Sequence, residues 1–257
     1  MSIALRLDEG APLPGSPFVL CWDEADNPLP VRAVRVPARS IVLSGEAPPW
    51  LGTGPAGRPF DFCGHVGRLC ADIARRCDAL GHVDPSRLLF AVTQARSGQV
   101  HGLQARVTPL RFAGGSLTRR RRGVTYQVQR YFVSRREMLY LVTFCLPRFL
   151  DLDFDEKFIT LFHELYHISP AFDGDLRRHA GRCSVHSRSQ RLYDQHMAAL
   201  ARAYLADGAD PSLHAFLRLN FAQLQRRHGG VVGVVVPRPK LIPVAGGPQA
   251  AAGRSSE

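Results

Sequence analysis

A short motif near the middle of the chain, His163-Glu164-Leu165-Tyr166-His167, has the pattern H-E-x-x-H. It lies in a segment whose apolar residues recur at helical spacing, so we predict that it is part of a helix. At about 3.6 residues per turn, His163 and His167 would project from the same face, where both can bind one metal ion. Glu164 would lie beside them and could polarise a water molecule on that ion. The motif therefore indicates metal-assisted hydrolysis.

The length and composition of the chain limit its domain organisation. A chain of 257 residues with 45% hydrophobic content can bury one sizeable core but is too short for three domains. We expect an irregular extension rich in Pro and Gly over residues 1–58, one catalytic domain over residues 59–236 and a disordered tail over residues 237–257. No export signal and no run of apolar residues long enough for a membrane span is visible, so we expect no membrane contact and a cytoplasmic location.

The regular part of the chain predicts an α+β fold. Apolar positions at helical spacing predict a first helix that begins after Phe60 and ends near Gly81, with Cys63, Cys70 and Cys77 on one face as reduced core residues. Around the motif helix we expect strands over residues 87–92, 103–112, 124–133, 138–145 and 231–236, and helices over residues 189–206 and from Asp210 to Gly229.

Asp153, with Glu156 three residues later, is predicted to cap the start of the motif helix, and the helix itself is predicted to be amphipathic. Phe158, Leu161, Leu165 and Ile168 would form one apolar stripe, and the two histidines would lie nearly opposite, facing a cleft. A pair of histidines packed in the core is the structural alternative. The adjacent Glu164 argues against it, because an unpaired buried carboxylate is costly without a cation.

A catalytic zinc normally binds three protein side chains and one water, so a third ligand must come from elsewhere. No glutamate occurs between Glu164 and Glu257, which excludes a glutamate from a downstream helix. We favour His179, because it follows His167 by twelve residues across a turn that contains Pro, Asp and Gly (Ser169 to Gly174), which is enough chain to reverse. His179 and Cys183 also have helical spacing, so a closed, structural four-ligand site is an alternative. The downstream candidates are His179, Cys183, His186, His196, Asp173, Asp175 and Asp194.

Residues 158–170, Phe-Ile-Thr-Leu-Phe-His-Glu-Leu-Tyr-His-Ile-Ser-Pro, followed by Gly-Asp-Leu-Arg-Arg-His at 174–179, resemble the phage-type metallopeptidases and, more distantly, the SprT-like zincins. The resemblance implies that His163, His167 and His179 bind Zn²⁺ and that Glu164 is the general base. It also implies a zincin-like fold, a small mixed sheet flanked by helices, whose last strand leads into the active-site helix. SprT-like proteases that act at DNA often carry a C-terminal zinc ribbon, whereas no cysteine follows Cys183 here.

The net charge of +11 comes almost wholly from arginine, since Lys157 and Lys240 are the only lysines. The densest cluster, Arg119 to Arg122, lies between two strand-like stretches beside glycines, which is typical of a solvated hairpin tip. Contact with nucleic acid or an acidic partner is the alternative interpretation.

Taken with the resemblance, the motif predicts a zinc-dependent metallopeptidase that hydrolyses a protein or peptide substrate. The alternatives are a non-catalytic metal-binding module and a nucleic-acid-associated module with the same fold. The sequence indicates neither the cleavage specificity nor the oligomeric state.

Overall fold

The structure, a computed structural model, describes residues 16–36, 51–96, 102–178 and 190–244. Its helices and small sheets confirm the predicted α+β class. In these ranges the helices are α1 (Phe62–Arg76), α2 (Phe154–Tyr166), α3 (Gln190–Ala206), α4 (Pro211–His214) and α5 (Phe221–His228). The strands are β1 (Val19–Trp22), β2 (Val31–Ala33), β3 (Phe60–Asp61), β4 (Leu88–Gln94), β5 (Ala105–Pro109), β6 (Thr118–Arg121), β7 (Val124–Val128), β8 (Arg130–Val133), β9 (Arg136–Met138), β10 (Tyr140–Leu146), β11 (Val231–Val234) and β12 (Leu241–Pro243). None of the described helices is both long and apolar enough to cross a membrane.

The central sheet has the strand order β4-β10-β5, with β10 parallel to β4 and antiparallel to β5. Alternate residues of β10 face opposite sides, as expected for a strand. Tyr140, Val142 and Phe144 pack in the main core with α1 and α2, whereas Leu141 packs in a smaller cluster with Trp22 on the other side. Among the described residues, β5 pairs with β10 alone and is therefore an edge strand of this sheet. It lies beside α2.

Helix α1 has the predicted apolar spacing but ends at Arg76 rather than near Gly81, and a 3₁₀ turn over Asp78–Leu80 follows it. The Asp61 side chain accepts a hydrogen bond from the Gly64 N–H at 3.1 Å and caps the first turn. Cys63 and Cys70 are buried, as predicted for core residues, whereas Cys77 is partly buried at the C-cap. Burial of this face fixes α1 against the central sheet.

Three further sheets have the orders β1-β8-β9, β2-β11-β3 and β12-β7-β6. The described part of the segment predicted as an N-terminal extension supplies β1, which pairs with β8, and β2, which pairs with β11. Residues 16–36 thus contribute strands to sheets formed by later parts of the chain.

The predicted strand over residues 124–133 is two strands. The chain breaks at Gln129, whose side chain donates to the Pro17 carbonyl at 3.0 Å, and β7 and β8 join different sheets. Of the arginines expected at the hairpin tip, Arg119, Arg120 and Arg121 lie instead on the exposed strand β6, and Arg122 is in the tip. The tip is Arg122-Gly123, with φ of 50° and 81°, as a two-residue turn of type I′ requires.

Two further predictions at the C-terminal end differ from the structure. The helix expected from Asp210 to Gly229 is interrupted after α4 by a 3₁₀ turn over Ala215–Arg218, because Asn220 begins a new helix through a capping box with Gln223. Where we expected a disordered tail from residue 237, Leu241–Pro243 form β12, antiparallel to β7. Residues 245–257 of that tail lie outside the described residues.

Candidate metal centre

Helix α2 carries the H-E-x-x-H motif at its C-terminal end. The Asp153 side chain accepts a hydrogen bond from the Glu156 N–H at 2.8 Å and caps the helix, as predicted. Phe158, Leu161 and Leu165 are buried in the main core, so the predicted apolar stripe is confirmed. The polar side of α2 and strand β5 line a cleft of about 810 Å³.

The two motif histidines converge on one point in this cleft. The Nε2 atoms of His163 and His167 are 2.9 Å apart. Their ring centroids are 4.5 Å apart, with an angle of 83° between the planes. Two nitrogens bound to one tetrahedral zinc lie about 3.3 Å apart, given Zn–N bonds of about 2.0–2.1 Å. A small rotation of either ring would therefore let both nitrogens bind the same ion, and the pair fits a metal site.

Glu164 lies beside the histidines and is held by the neighbouring strand. Its Oε2 accepts a hydrogen bond from the Val107 N–H at 2.6 Å. Burial raises the pKa of Glu164 to about 7, while the Val107 hydrogen bond and the charge of Arg106 act in the opposite direction. A carboxyl group with such a pKa can accept and release a proton near neutral pH.

Helix α3 covers the other side of the histidine pair. The Tyr193 ring stacks on His167 with centroids 5.8 Å apart and meets His163 edge-on at 4.9 Å. The Asp194 Oδ1 lies 3.8 Å from His163 Nδ1. A carboxylate at this nitrogen favours the tautomer that carries its proton on Nδ1, which directs the Nε2 lone pair towards a metal.

The chain reverses directly after the motif. The Ser169 N–H donates to the Asp175 carbonyl at 3.2 Å, and the Arg177 N–H donates to the His167 carbonyl at 2.7 Å. Gly174 has a φ of 86°, which glycine adopts without strain. The predicted turn is confirmed, and it brings the chain back to His167.

The three candidates for the third ligand that follow this turn, His179, Cys183 and His186, lie outside the described residues. Within the described ranges, no group of three or more His, Cys, Asp or Glu side chains is placed to hold a metal ion. The described part of the site therefore consists of His163 and His167, with Glu164 beside them.

Two other downstream candidates, Asp175 and His196, are engaged elsewhere. Asp175 forms an ion pair with Arg178 at 3.0 Å. His196 is exposed, and its ring packs against Tyr166 with centroids 5.4 Å apart. Tyr193, one turn before His196 on α3, contacts the rings of both motif histidines.

Strand β5 forms the opposite wall of the cleft and presents backbone groups to it. The Leu110 N–H donates to the Leu139 carbonyl at 3.0 Å. In an antiparallel pair alternate residues bond to the partner strand, so the backbone groups of Ala105 and Val107 point away from β10. This is why the Val107 N–H can reach Glu164. The outward carbonyl groups can pair with an extended peptide.

Comparison with protein-family models, curated proteins and solved structures finds no match to this chain. Functional inference rests on the motif and on the arrangement of α2, α3 and β5. Sequence reasoning missed the contribution of Val107, because a backbone N–H 57 positions from Glu164 leaves no signal in residue type or spacing.

Proposed function

We propose that this chain is a zinc-dependent metallopeptidase with a zincin-like fold. His163 and His167 would bind the zinc, His179 would be the third ligand and Glu164 the general base. The observation that carries the proposal is the approach of the two histidine Nε2 atoms to 2.9 Å beside the buried carboxyl group of Glu164. Burial of a carboxylate is unfavourable unless a cation or hydrogen bonds compensate for it, and a divalent ion between the histidines would do so.

The same residues supply the steps of peptide hydrolysis. Bound zinc would polarise the substrate carbonyl group and lower the pKa of a water molecule. An extended peptide would pair with the outward carbonyl groups of Ala105 and Val107, while the Val107 N–H remains bound to Glu164, and this pairing would place the peptide across the cleft. Glu164 would take a proton from the attacking water and give it to the leaving amine. The negative charge of Asp194, 3.8 Å from the His163 Nδ1, would favour the tautomer of His163 that the metal needs.

The proposed zincin-like architecture is supported by the order of the elements. Strand β10 ends at Leu146, and α2 begins at Phe154 beneath the sheet to which β10 belongs. This is the strand-to-helix connection that the resemblance implies. For the location of the protein we propose the cytoplasm, where the buried thiols of Cys63 and Cys70 would remain reduced.

The described residues that flank positions 179–189 on either side contact the histidine pair, which supports a third ligand from the intervening segment. Arg177 is hydrogen-bonded to His167, and two residues of chain span at most about 7 Å. On the far side, Tyr193 contacts both motif histidines. Of the three candidates, His179 is nearest along the chain to the Arg177 anchor.

Metal removal tests the proposed function directly. Purified protein should cleave an unfolded substrate such as casein, and a chelator should lower the rate at least about a hundredfold, because the carbonyl group would no longer be polarised. One equivalent of zinc should restore the rate, whereas magnesium should not, since magnesium prefers oxygen ligands. Cleavage that persists in metal-free protein would contradict the proposal.

The third ligand is tested by comparing three variants. His179→Ala should weaken zinc binding more than Cys183→Ser or His186→Ala, by at least about tenfold, because it removes a direct ligand. The measurement is a competition titration with a zinc-binding dye. A larger loss in Cys183→Ser would reassign the ligand and favour the closed structural site.

A further inference from the structure

A second cavity, of about 630 Å³, lies on the face of the central sheet opposite to α2. Its floor includes side chains of β4, β5 and β10 that point away from the main core, among them the hydroxyl groups of Thr93, Thr108 and Thr143. Val235 and Val236, which follow β11, form part of its wall. The hydroxyl groups make the floor polar and able to donate hydrogen bonds.

The cavity is strongly basic. Arg96, Arg106, Arg148 and Arg238 line it, and the described residues of its lining include neither a carboxylate nor an aromatic ring. Within the part of the chain that the structure describes, Arg96, Arg106 and Arg238 form no ion pair. The Arg106 Nε is buried and has no hydrogen-bond partner among the described residues. A buried donor without an acceptor is unfavourable, and an anionic ligand would satisfy it.

The basic cavity and the catalytic cleft meet at strand β5. Leu103 and Arg106 line both of them. Along β5, the Ala105 and Val107 side chains pack in the main core on the α2 side, whereas Arg106 and Thr108 face the basic cavity. A peptide that extends the sheet at the edge of β5 also places alternate side chains on opposite faces. One set would lie over the catalytic cleft and the other beside Arg106.

We propose that the substrate is a polypeptide with acidic residues at alternate positions, whose carboxylates bind in the basic cavity. The proposal rests on the peptidase function proposed above. Guanidinium groups bind carboxylates through paired, charge-assisted hydrogen bonds. The catalytic cleft is of mixed charge, since Glu156 and Asp194 line it beside Arg106, and these two carboxylates disfavour acidic side chains on that face. A nucleic-acid strand fits less well, because the described lining offers no aromatic ring on which a base could stack.

The test uses two isomeric peptides built around a bond that the protein cleaves in casein. Both carry three glutamates, placed at odd positions in one peptide and at even positions in the other, so that their net charge is equal. The wild type should cleave one isomer about tenfold better, measured as kcat/KM, with the cleaved bond checked by product mass. In the double variant Arg96→Gln/Arg238→Gln the ratio should fall towards one. Arg119→Gln/Arg120→Gln, which removes the same charge from the exposed strand β6, should keep the ratio.

Equal cleavage of both isomers by the wild type would overturn the proposal. So would a fall of the kcat/KM ratio in Arg119→Gln/Arg120→Gln as large as that in Arg96→Gln/Arg238→Gln. If the zinc-loaded protein hydrolyses no peptide, the peptidase function fails, and the cavity is then tested by fluorescence anisotropy with the labelled isomers. A binding preference that Arg96→Gln/Arg238→Gln removes would support the cavity as an acidic-peptide site. Equal binding of both isomers would overturn this assignment. It would also be overturned if a single-stranded oligonucleotide bound more tightly than either peptide and Arg96→Gln/Arg238→Gln abolished that binding.

Discussion

Glu164→Gln is expected to lower peptide hydrolysis at least about a hundredfold, the usual scale for loss of a general base, while zinc remains bound. Glutamine has nearly the same size and keeps an oxygen that can accept the Val107 N–H, so the hydrogen bond to β5 should survive. It cannot accept a proton from water. The measurement is casein cleavage beside zinc content, for wild type and variant.

Glu156→Gln is the matched control, because Glu156 is also on α2 and lines the same cleft but is exposed. It should retain the wild-type rate on a neutral peptide. Equal cleavage by wild type and Glu164→Gln would point to a contaminating protease and contradict the assigned base. Zinc-loaded wild type that cleaves none of many substrates would favour the non-catalytic metal-binding module.

Metal-free protein offers a check that Glu164→Gln preserves the fold. Since burial raises the pKa of Glu164 from 4.5 to about 7, the folded state binds this proton more tightly than the unfolded state. The resulting stabilisation is complete below pH 4.5 and is lost as the pH rises through 7, by about 3 kcal/mol for a shift of this size. At pH 8 the metal-free variant should therefore unfold at a higher temperature than the metal-free wild type. The difference between the two unfolding temperatures should shrink at pH 5.

Local sequence patterns predicted the part of the site that one helix supplies. The cap at Asp153, the buried stripe with Phe158 and Leu161, and the histidines one turn apart all follow from the 3.6-residue period of α2. The reversal after His167 followed from the turn composition around Gly174. These features depend on neighbours in sequence, which is why residue type and spacing were sufficient.

Features that depend on distant contacts were not predictable in the same way. Residue type does not predict that a lysine is buried. Lys157 is nevertheless only 2% exposed, and its Nζ donates to the carbonyl groups of Leu217 and Leu219 at 2.9 Å each. Likewise, nothing in the residue type of Val107 indicates that it meets the motif, and Asp194, considered as a metal ligand, lies instead near the Nδ1 of His163. Their roles depend on tertiary packing, which places β5 and α3 on either side of α2.

His163→Ala and His167→Ala are each expected to reduce bound zinc from about one per chain to less than about a tenth, because each removes one of the three protein ligands that we propose. The loss of bound zinc should also remove the stabilisation that zinc gives to the folded protein. Zinc at about a thousand times its Kd should stabilise the wild type by about 4 kcal/mol, whereas neither variant should respond to zinc at that concentration. Elemental analysis and thermal unfolding with and without zinc measure both effects.

His196→Ala is the control, since His196 is exposed on α3 and packs against Tyr166 rather than against the histidine pair. It should bind zinc and be stabilised by zinc as the wild type is. Undiminished zinc in both motif variants would show that the ion binds elsewhere, and the 2.9 Å approach of His163 and His167 would then be a core contact. Thermal unfolding separates a metal site from a core contact. If the histidines only pack, replacing one of them lowers the stability by the same amount with and without zinc.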